Sequence, residues 1–408
     1  MANNSPLQFF ASFSVFRGPL VLTQNKTLLG EDADTPIRPH ADTFSGQACP
    51  KNLSDCLFSW SIACIIVSAL PPQSTPQSPP KQGISDKNSM RYLSKISFVA
   101  TLGLAFAVLG PAQAAEKHLT ILMAIPDLAF PFFVHMVDQA KDEANKTGDI
   151  ELIISDGQRS SPKETADVEA AITKGVDGIM ISPNDVDALA PAIQEAVDAK
   201  IPIVTIDRRV NKVPGVLAHV GADNVKGGEA QGQLIEKLFP DGANVMNLQG
   251  QSGSSPAIDR NKGLHNVLDQ AKDKYKFVFE DTAGFDRAKG LAVTESALAG
   301  MQKPPDVIVA ANDDMALGAL EALKARNLLG KVKLIGFDAL PEALGQIKAG
   351  NLTATIEQLP GGQVRGALQA LVAFLREGKK PDQQVILLTP IAITSDNLNQ
   401  AERLNEVK

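Results

Sequence analysis

From residue 119 onward the chain alternates between short β-rich apolar runs and amphipathic stretches of helical period. That alternation is the signature of βαβ units, in which consecutive strands lie parallel and helices cover the sheet. The runs that read as strands are Leu119–Ile125, Ile150–Ser155, Gly178–Ser182, Pro202–Asp207, Asn244–Leu248, Phe277–Asp281, Val307–Ala311, Lys333–Phe337 and Thr353–Gln358. Helices fit between them, for example at Lys163–Lys174, Ala188–Ala199, Val225–Leu238 and Met315–Arg326. One continuous sheet of roughly nine or more strands is less usual than two sheets of about four to six. The expected fold is therefore α/β, with two doubly wound parallel-sheet lobes.

The strand runs end alike. Asp156 closes LIISD, Ser182 closes IMIS, Asp207 closes IVTID, Asn312 closes VIVAAN and Asp338 closes IGFD. In open parallel sheets ligands bind at the carboxyl ends of the strands. Asp and Asn also end strands for local reasons, because they start turns and cap the next helix. As a set drawn from two lobes, these polar tips mark a candidate site across an interlobe cleft.

The part before residue 115 has a different character. Cys49, Cys56 and Cys64, the only cysteines, and the single tryptophan, Trp60, all fall there. Residues 115–408 carry 31 Lys/Arg and 40 Asp/Glu, a net −9, and no cysteine. Such a body has no thiol to misoxidise and suits any redox compartment. Its acidity argues against nucleic acid as a partner, since that needs a basic face to displace counterions. Arg91 and Lys95 precede an apolar run, Ile96–Leu109, and then Ala112-Gln113-Ala114. This order reads as a secretory signal peptide over residues 90–114, its apolar run too short to span a membrane. Residues 1–89 show no sustained period and are Pro- and Ser-rich at Pro71–Pro80. They are expected to be a disordered, non-native extension from a start placed too far upstream. Met90 would be the true start and Ala115 the first residue of a periplasmic protein.

No catalytic residue, metal-ligand set or cofactor motif emerges. The five histidines show no i, i+4 pairing, and no calcium loop, G-x-G-x-x-G or G-x-x-x-x-G-K-[ST] occurs. Gly250-Gln251-Ser252-Gly253-Ser254 misses the nucleophile elbow at its last position and reads as a turn. The expectation is a protein that is not an enzyme, with a doubly wound hydrolase or sugar-modifying enzyme as an alternative.

Phe130-Pro131-Phe132-Phe133 opens a series of blocks in fixed order. It continues with Ile203–Arg208, Ala222-Asp223-Asn224, Leu248-Gln249-Gly250, Phe285–Gly290, Asn312–Ala319, Gly336-Phe337-Asp338 and Thr355–Pro360. In these blocks the chain resembles the ribose-binding proteins of bacterial ABC importers, a periplasmic sugar-binding group that shares its fold with lac-repressor-type sensor domains. The resemblance implies two lobes, residues 115–222 plus 359–389 and 223–358 plus 390–408, joined by a three-strand hinge and closing on a sugar.

A sugar ring offers apolar C–H faces and a rim of hydroxyls. Aromatic rings stack on the faces, while carboxylates, amides and guanidinium groups bond neighbouring hydroxyls in pairs. By resemblance Phe132, Phe133 and Phe285 would stack, and Asp207, Arg208, Arg260, Asn312, Asp338 and Gln358 would bind hydroxyls. Three positions depart from the family pattern: Phe130 replaces an amide, Ser182 an asparagine and Ala222 a hydroxyl residue. Phe130 and Ser182 stay in the expected ligand-binding set, but the departures point away from ribose itself. Another pentose, a deoxysugar, a polyol or an inositol fits equally. The implied partners are that ligand and an inner-membrane ABC permease, with the binding protein a monomer. A chemoreceptor or signal-sensing sugar binder of the same fold is an alternative. A lac-repressor-type regulator would need a basic DNA-binding segment where this chain has its signal peptide and Pro/Ser-rich stretch.

Overall fold

The computed structural model describes residues 117–408, so the expected extension and signal peptide lie outside the described residues. The chain first forms β1 (Leu119–Ile125), α1 (Pro131–Thr147), β2 (Ile150–Asp156), α2 (Ser161–Lys174), β3 (Gly178–Ile181), α3 (Ala190–Asp198), β4 (Ile203–Ile206) and β5 (Ala218–Ala222). It then crosses to a second sheet through α4 (Asn224–Leu238), β6 (Ala243–Gln249), α5 (Ser255–Leu268), β7 (Tyr275–Thr282), α6 (Arg287–Gly300), β8 (Val307–Ala310), α7 (Asp313–Ala325), β9 (Lys333–Ile335) and α8 (Pro341–Lys348). A short strand, β10 (Thr355–Glu357), leads back to α9 (Pro360–Glu377) and β11 (Val385–Leu388) on the first sheet, and β12 (Ile391–Ile393) follows.

The first sheet has the order β11-β5-β4-β3-β1-β2 and the second β7-β6-β8-β9, every pair parallel. Each sheet reverses direction beside its first strand, β1 or β6. That switch point leaves a crevice at the carboxyl ends of the strands, and two crevices facing each other make a cleft. β10 and β12 pair antiparallel, which gives two of the crossovers a shared ladder. The third crossover contributes no strand to it and runs through Asp223, whose side chain accepts from the Lys226 amide to cap α4.

Both faces of the first sheet are covered, as a parallel sheet requires. Along β1, Leu119, Ile121, Met123 and Ile125 join the core beneath α1 and α9, while Leu122 and Ala124 face the core beneath α2 and α3. That period of two puts alternate side chains on opposite faces. The nine expected strands are all present: β1 as expected, β2, β6 and β7 longer, and β3, β4, β8, β9 and β10 shorter by one to three residues. β5, β11 and β12 were not anticipated: β5 (AHVGA) is too small-residue-rich to stand out, and the other two flank Pro390.

Helix approach in the second lobe is set by glycine. A methyl group on Gly263 of α5 would sit 2.0 Å from the Val225 carbonyl oxygen, and one on Gly228 of α4 2.0 Å from that of Arg260. α6 and α7 cross in the same manner, Gly318 against the Arg287 carbonyl at 2.1 Å. These backbone-to-backbone contacts fix where the N-terminal turns of α5 and α7 lie. Gly263→Ala should therefore force α4 and α5 apart and cost about 1–3 kcal/mol, the usual range for overpacking. A urea unfolding midpoint equal to the parent's would contradict this.

Candidate functional site

Between the two sets of strand ends lies a cavity lined by Phe130, Phe132, Phe133, Asp207, Arg208, Pro256, Arg260, Phe285, Asn312, Asp314, Asp338 and Gln358. Ten of the eleven expected site residues are thus brought to one place from widely separated segments. Ser182 is the exception. It is fully buried and its hydroxyl donates to Asp207 Oδ2 at 3.4 Å, so it stands behind the wall. Asp314 and Pro256 were missed. Both adjoin helix N-termini, Asp314 two residues beyond Asn312 and Pro256 near the start of α5, and proximity to a strand tip was the available signal.

Five lining residues are charged and buried: Asp207 at 4%, Arg208 at 2%, Arg260 at 4%, Asp338 at 5% and Asp314 at 8%. Asp314 Oδ1 meets Arg287 Nη2 at 3.5 Å at the cavity's edge, and the other two carboxylates and two guanidinium groups are not simply paired off. Arg260 donates from Nε to Asn224 Oδ1 at 2.8 Å and from Nη1 to the Ala311 carbonyl at 2.6 Å. Its contact with Asp338 Oδ1 is longer, at 3.4 Å, and its plane lies 3.6 Å from the centre of the Phe337 ring. Asp338 Oδ1 accepts from Gln358 Nε2 at 2.6 Å. Arg208 donates from Nη1 to the Asn184 carbonyl at 3.2 Å and to Gln251 Oε1 at 3.4 Å. Its Nε has no hydrogen-bond partner and stands 3.8 Å from Asp207 Oδ2. Asn224, Asn184 and Gln251 therefore hold the two arginines in place without lining the cavity. Asn224 belongs to a recognisable sequence block; the other two gave no signal.

The aromatic residues form walls. Phe133 meets Phe132 edge-on at 5.2 Å and Phe130 at 6.2 Å, while Phe285 comes from the opposite sheet. Asn312 caps α7 by accepting from the Met315 amide at 3.0 Å, and its Nδ2 donates to the Phe285 carbonyl at 3.3 Å. Backbone strain concentrates here as well. Asp207 (φ 56°), Phe285 (φ 62°), Asp338 (φ 109°) and Leu359 (φ 58°) all adopt left-handed conformations that cost non-glycine residues roughly 1–3 kcal/mol each. The surrounding hydrogen bonds hold them there, as the Asp338 amide does by donating to the Ile356 carbonyl at 2.8 Å.

Burial dominates the electrostatics. It pushes the Asp338 carboxyl up to about 7, against the pull of Arg260. It also raises Asp207 against Arg208 and Arg260, and it lowers both arginines against the same carboxylates. Behind Arg208, burial raises Glu164 to about 7, although Glu164 Oε2 accepts from the Asn184 amide at 2.8 Å. The cavity thus combines apolar faces with hydrogen-bond donors and acceptors on its rim. It can hold a small neutral molecule rich in hydroxyls. Among the described residues, no group of three or more His, Cys, Asp or Glu could hold a metal ion.

Comparison with known proteins places these features among relatives. The profile of the periplasmic binding protein domain matches residues 121–380. The chain is 40% identical over 278 residues to the ribose import binding protein of Bacillus subtilis, covering 65% of this chain and 88% of that protein. It is 38% identical over 266 residues to the ribose import binding protein of Salmonella typhimurium, covering 65% and 86%. Among solved structures, the Caulobacter myo-inositol binding protein bound to myo-inositol is 40% identical, with a TM-score of 0.68 over 71% of this chain and 98% of that one.

The buried acids set a pH dependence. Asp338 and Glu164 have folded values near 7, above their ordinary 3.8 and 4.5. The stability of their protonated forms is complete below those ordinary values and is lost as pH rises through about 7. His219 works in the opposite sense: burial lowers it from 6.5 to about 4, so its contribution is lost as pH falls through that window and is constant above 6.5. Between about pH 6.5 and 8 the ligand-free protein should therefore lose stability as these buried acids give up their protons. Asp338→Asn should make that fall shallower. Urea unfolding at the two pH values reads it, and a flat or rising stability would refute the assignment.

Proposed function

The chain belongs to the periplasmic binding protein family, with its ribose-binding-like members, and from that premise we propose that it is a solute receptor that closes on a monosaccharide or cyclic polyol and presents it to an ABC permease. One observation carries the reading: the Asp207–Arg208 and Arg260–Asp338 quartet, buried between phenyl walls from two sheets. Buried charges without sufficient partners are costly. A ring of hydroxyls can supply partners to the donors and acceptors that face the cavity. The walls supply faces for the C–H surfaces of the same ring.

The ligand class is a compact polyhydroxy ring: a pentose, a deoxysugar or an inositol. The apolar Phe130 and the withdrawn Ser182 favour a ligand that makes fewer polar contacts on that side. Relatives that bind ribose and myo-inositol stand at comparable identity, which supports the class without choosing within it. Hinge closure follows from ligand contacts made to both lobes, which stabilise the shut arrangement over the open one. Export under the leader at residues 90–114 would put the receptor in the periplasm, where a permease can read its closed rims.

The reading is tested by thermal unfolding in the presence of D-ribose, other pentoses, deoxysugars and inositols. A compound at about 1,000 times its Kd should add roughly 4 kcal/mol and raise the midpoint by several degrees. Arg260→Ala and Asp338→Ala should each weaken that compound about 100-fold or more, because each leaves its buried partner uncompensated. Stabilisation by none of these compounds, with nothing released from the denatured protein, would defeat the proposal. So would release of a chemically altered sugar after incubation, which would mark an enzyme.

A further inference from the structure

One guanidinium joins two walls of the cavity from outside it. Arg159 sits in the loop between β2 and α2, where Gln158 (φ 52°) and Arg159 itself (φ 57°) are consecutive left-handed non-glycine residues. Its backbone is pinned, the amide donating to the Pro126 carbonyl at 2.8 Å and the carbonyl accepting from Asn184 Nδ2 at 3.4 Å. The side chain makes three contacts at once. Nε donates to Asp127 Oδ2 at 2.6 Å, and the guanidinium carbon lies 4.4 Å from the centre of the Phe130 ring. Nη1 reaches the other lobe and donates to Asp286 Oδ2 at 2.8 Å.

The partners give these contacts their meaning. Phe130 and Phe285 both line the cavity, from opposite lobes, and Asp286 follows Phe285 directly. Asp286 Oδ1 already caps α6 by accepting from the Lys289 amide at 2.9 Å, so the carboxylate that Arg159 holds is itself fixed in place. Asp127 is fixed likewise, its Oδ1 accepting from the Ala129 amide at 2.8 Å. A planar fork can serve two carboxylates and lie on a ring together, which a lysine ammonium cannot do.

We propose that Arg159 is a positioning residue of the binding cleft: it clasps Phe130 against its own lobe and ties that wall to the Phe285 side of the other, so that bound ligand leaves only when the clasp opens. This rests on the reading of the cleft as a site for a polyhydroxy ring. Arg159 touches no ligand atom in this scheme and acts through Phe130 and Asp286. Its effect therefore falls on release rather than on capture. The group is about one-third exposed, at 34%, so added salt weakens it.

The test uses the full chain, Arg159→Ala, Arg159→Lys and Asp286→Asn, with myo-inositol and D-ribose as probes. Stopped-flow displacement should show release from Arg159→Ala faster by roughly tenfold, association within about twofold of the parent, and Arg159→Lys between the two. Asp286→Asn keeps the cap on α6 and should also speed release. Release from the parent should quicken with sodium chloride and that from Arg159→Ala should not. A release rate equal to the parent's in both Arg159→Ala and Asp286→Asn overturns the proposal. If the parent binds neither probe, amide hydrogen exchange of the ligand-free proteins decides the clasp. Faster exchange across Phe285–Lys289 in Arg159→Ala then supports it, and unchanged exchange there overturns it.

Discussion

Desolvation of four charges at the meeting of two sheets is the constraint around which the rest of this molecule is arranged. Removing an ion from water costs several kcal/mol even after the protein relaxes. Asp207, Arg208, Arg260 and Asp338 are all held at 5% exposure or less. Their mutual attraction alone does not offset that cost, because the ion-pair contacts are long, at 3.4 and 3.8 Å. What sustains the arrangement is a scaffold of neutral groups behind it: Asn224, the Ala311 carbonyl, the Asn184 carbonyl, Gln251 and Gln358. The glycine contacts between α4 and α5 and the left-handed turns at Asp207 and Asp338 serve the same end, since they set where the charged atoms point.

This division of labour explains which parts of the site could be read in the sequence. Part of the cavity wall is legible locally, because Asp207, Asn312 and Asp338 follow strands and carry turn and cap chemistry; Arg260, in the second turn of α5, and the phenylalanines are legible only through the family resemblance. Asp207 after IVTI and Asn312 before Asp313-Asp314-Met315 are examples of the local signal. Ser182 shows the limit of that reasoning. It occupies the right register, with its amide donating to the Ala124 carbonyl at 3.0 Å, but its hydroxyl is taken up by Asp207. The supporting groups were illegible for a different reason. Asn184 and Gln251 acquire their roles only by meeting across the cleft, 67 residues apart, and no local pattern records such a meeting.

The same reasoning accounts for the fold. Nine strands announced themselves through apolar runs bounded by polar residues. β5 has alanine and glycine at three of five positions, and β11 and β12 are four and three residues long around a proline. Their strand character comes from the neighbours they pair with: β11 from β5, and β12 from β10. Arg159 belongs with these. Its neighbour Asp286 lies 127 residues away, and nothing near Arg159 in the chain distinguishes it from a solvated loop arginine.

The late return of the chain to its first sheet has a consequence for how the polypeptide is made. β1 to β5 are complete by Ala222, yet α9, which covers the face of β3, β4 and β5, spans Pro360–Glu377, and the edge strand β11 begins only at Val385. During synthesis from the amino terminus, the face of the earlier lobe that α1 covers in part must wait for α9 while the later lobe's segments emerge. The second sheet draws β6 to β9 from one unbroken stretch and can assemble without that delay. The layer that completes the first lobe is thus among the last parts of the chain to be made, so a truncation before Pro360 would remove cover from the lobe whose strands are encoded first.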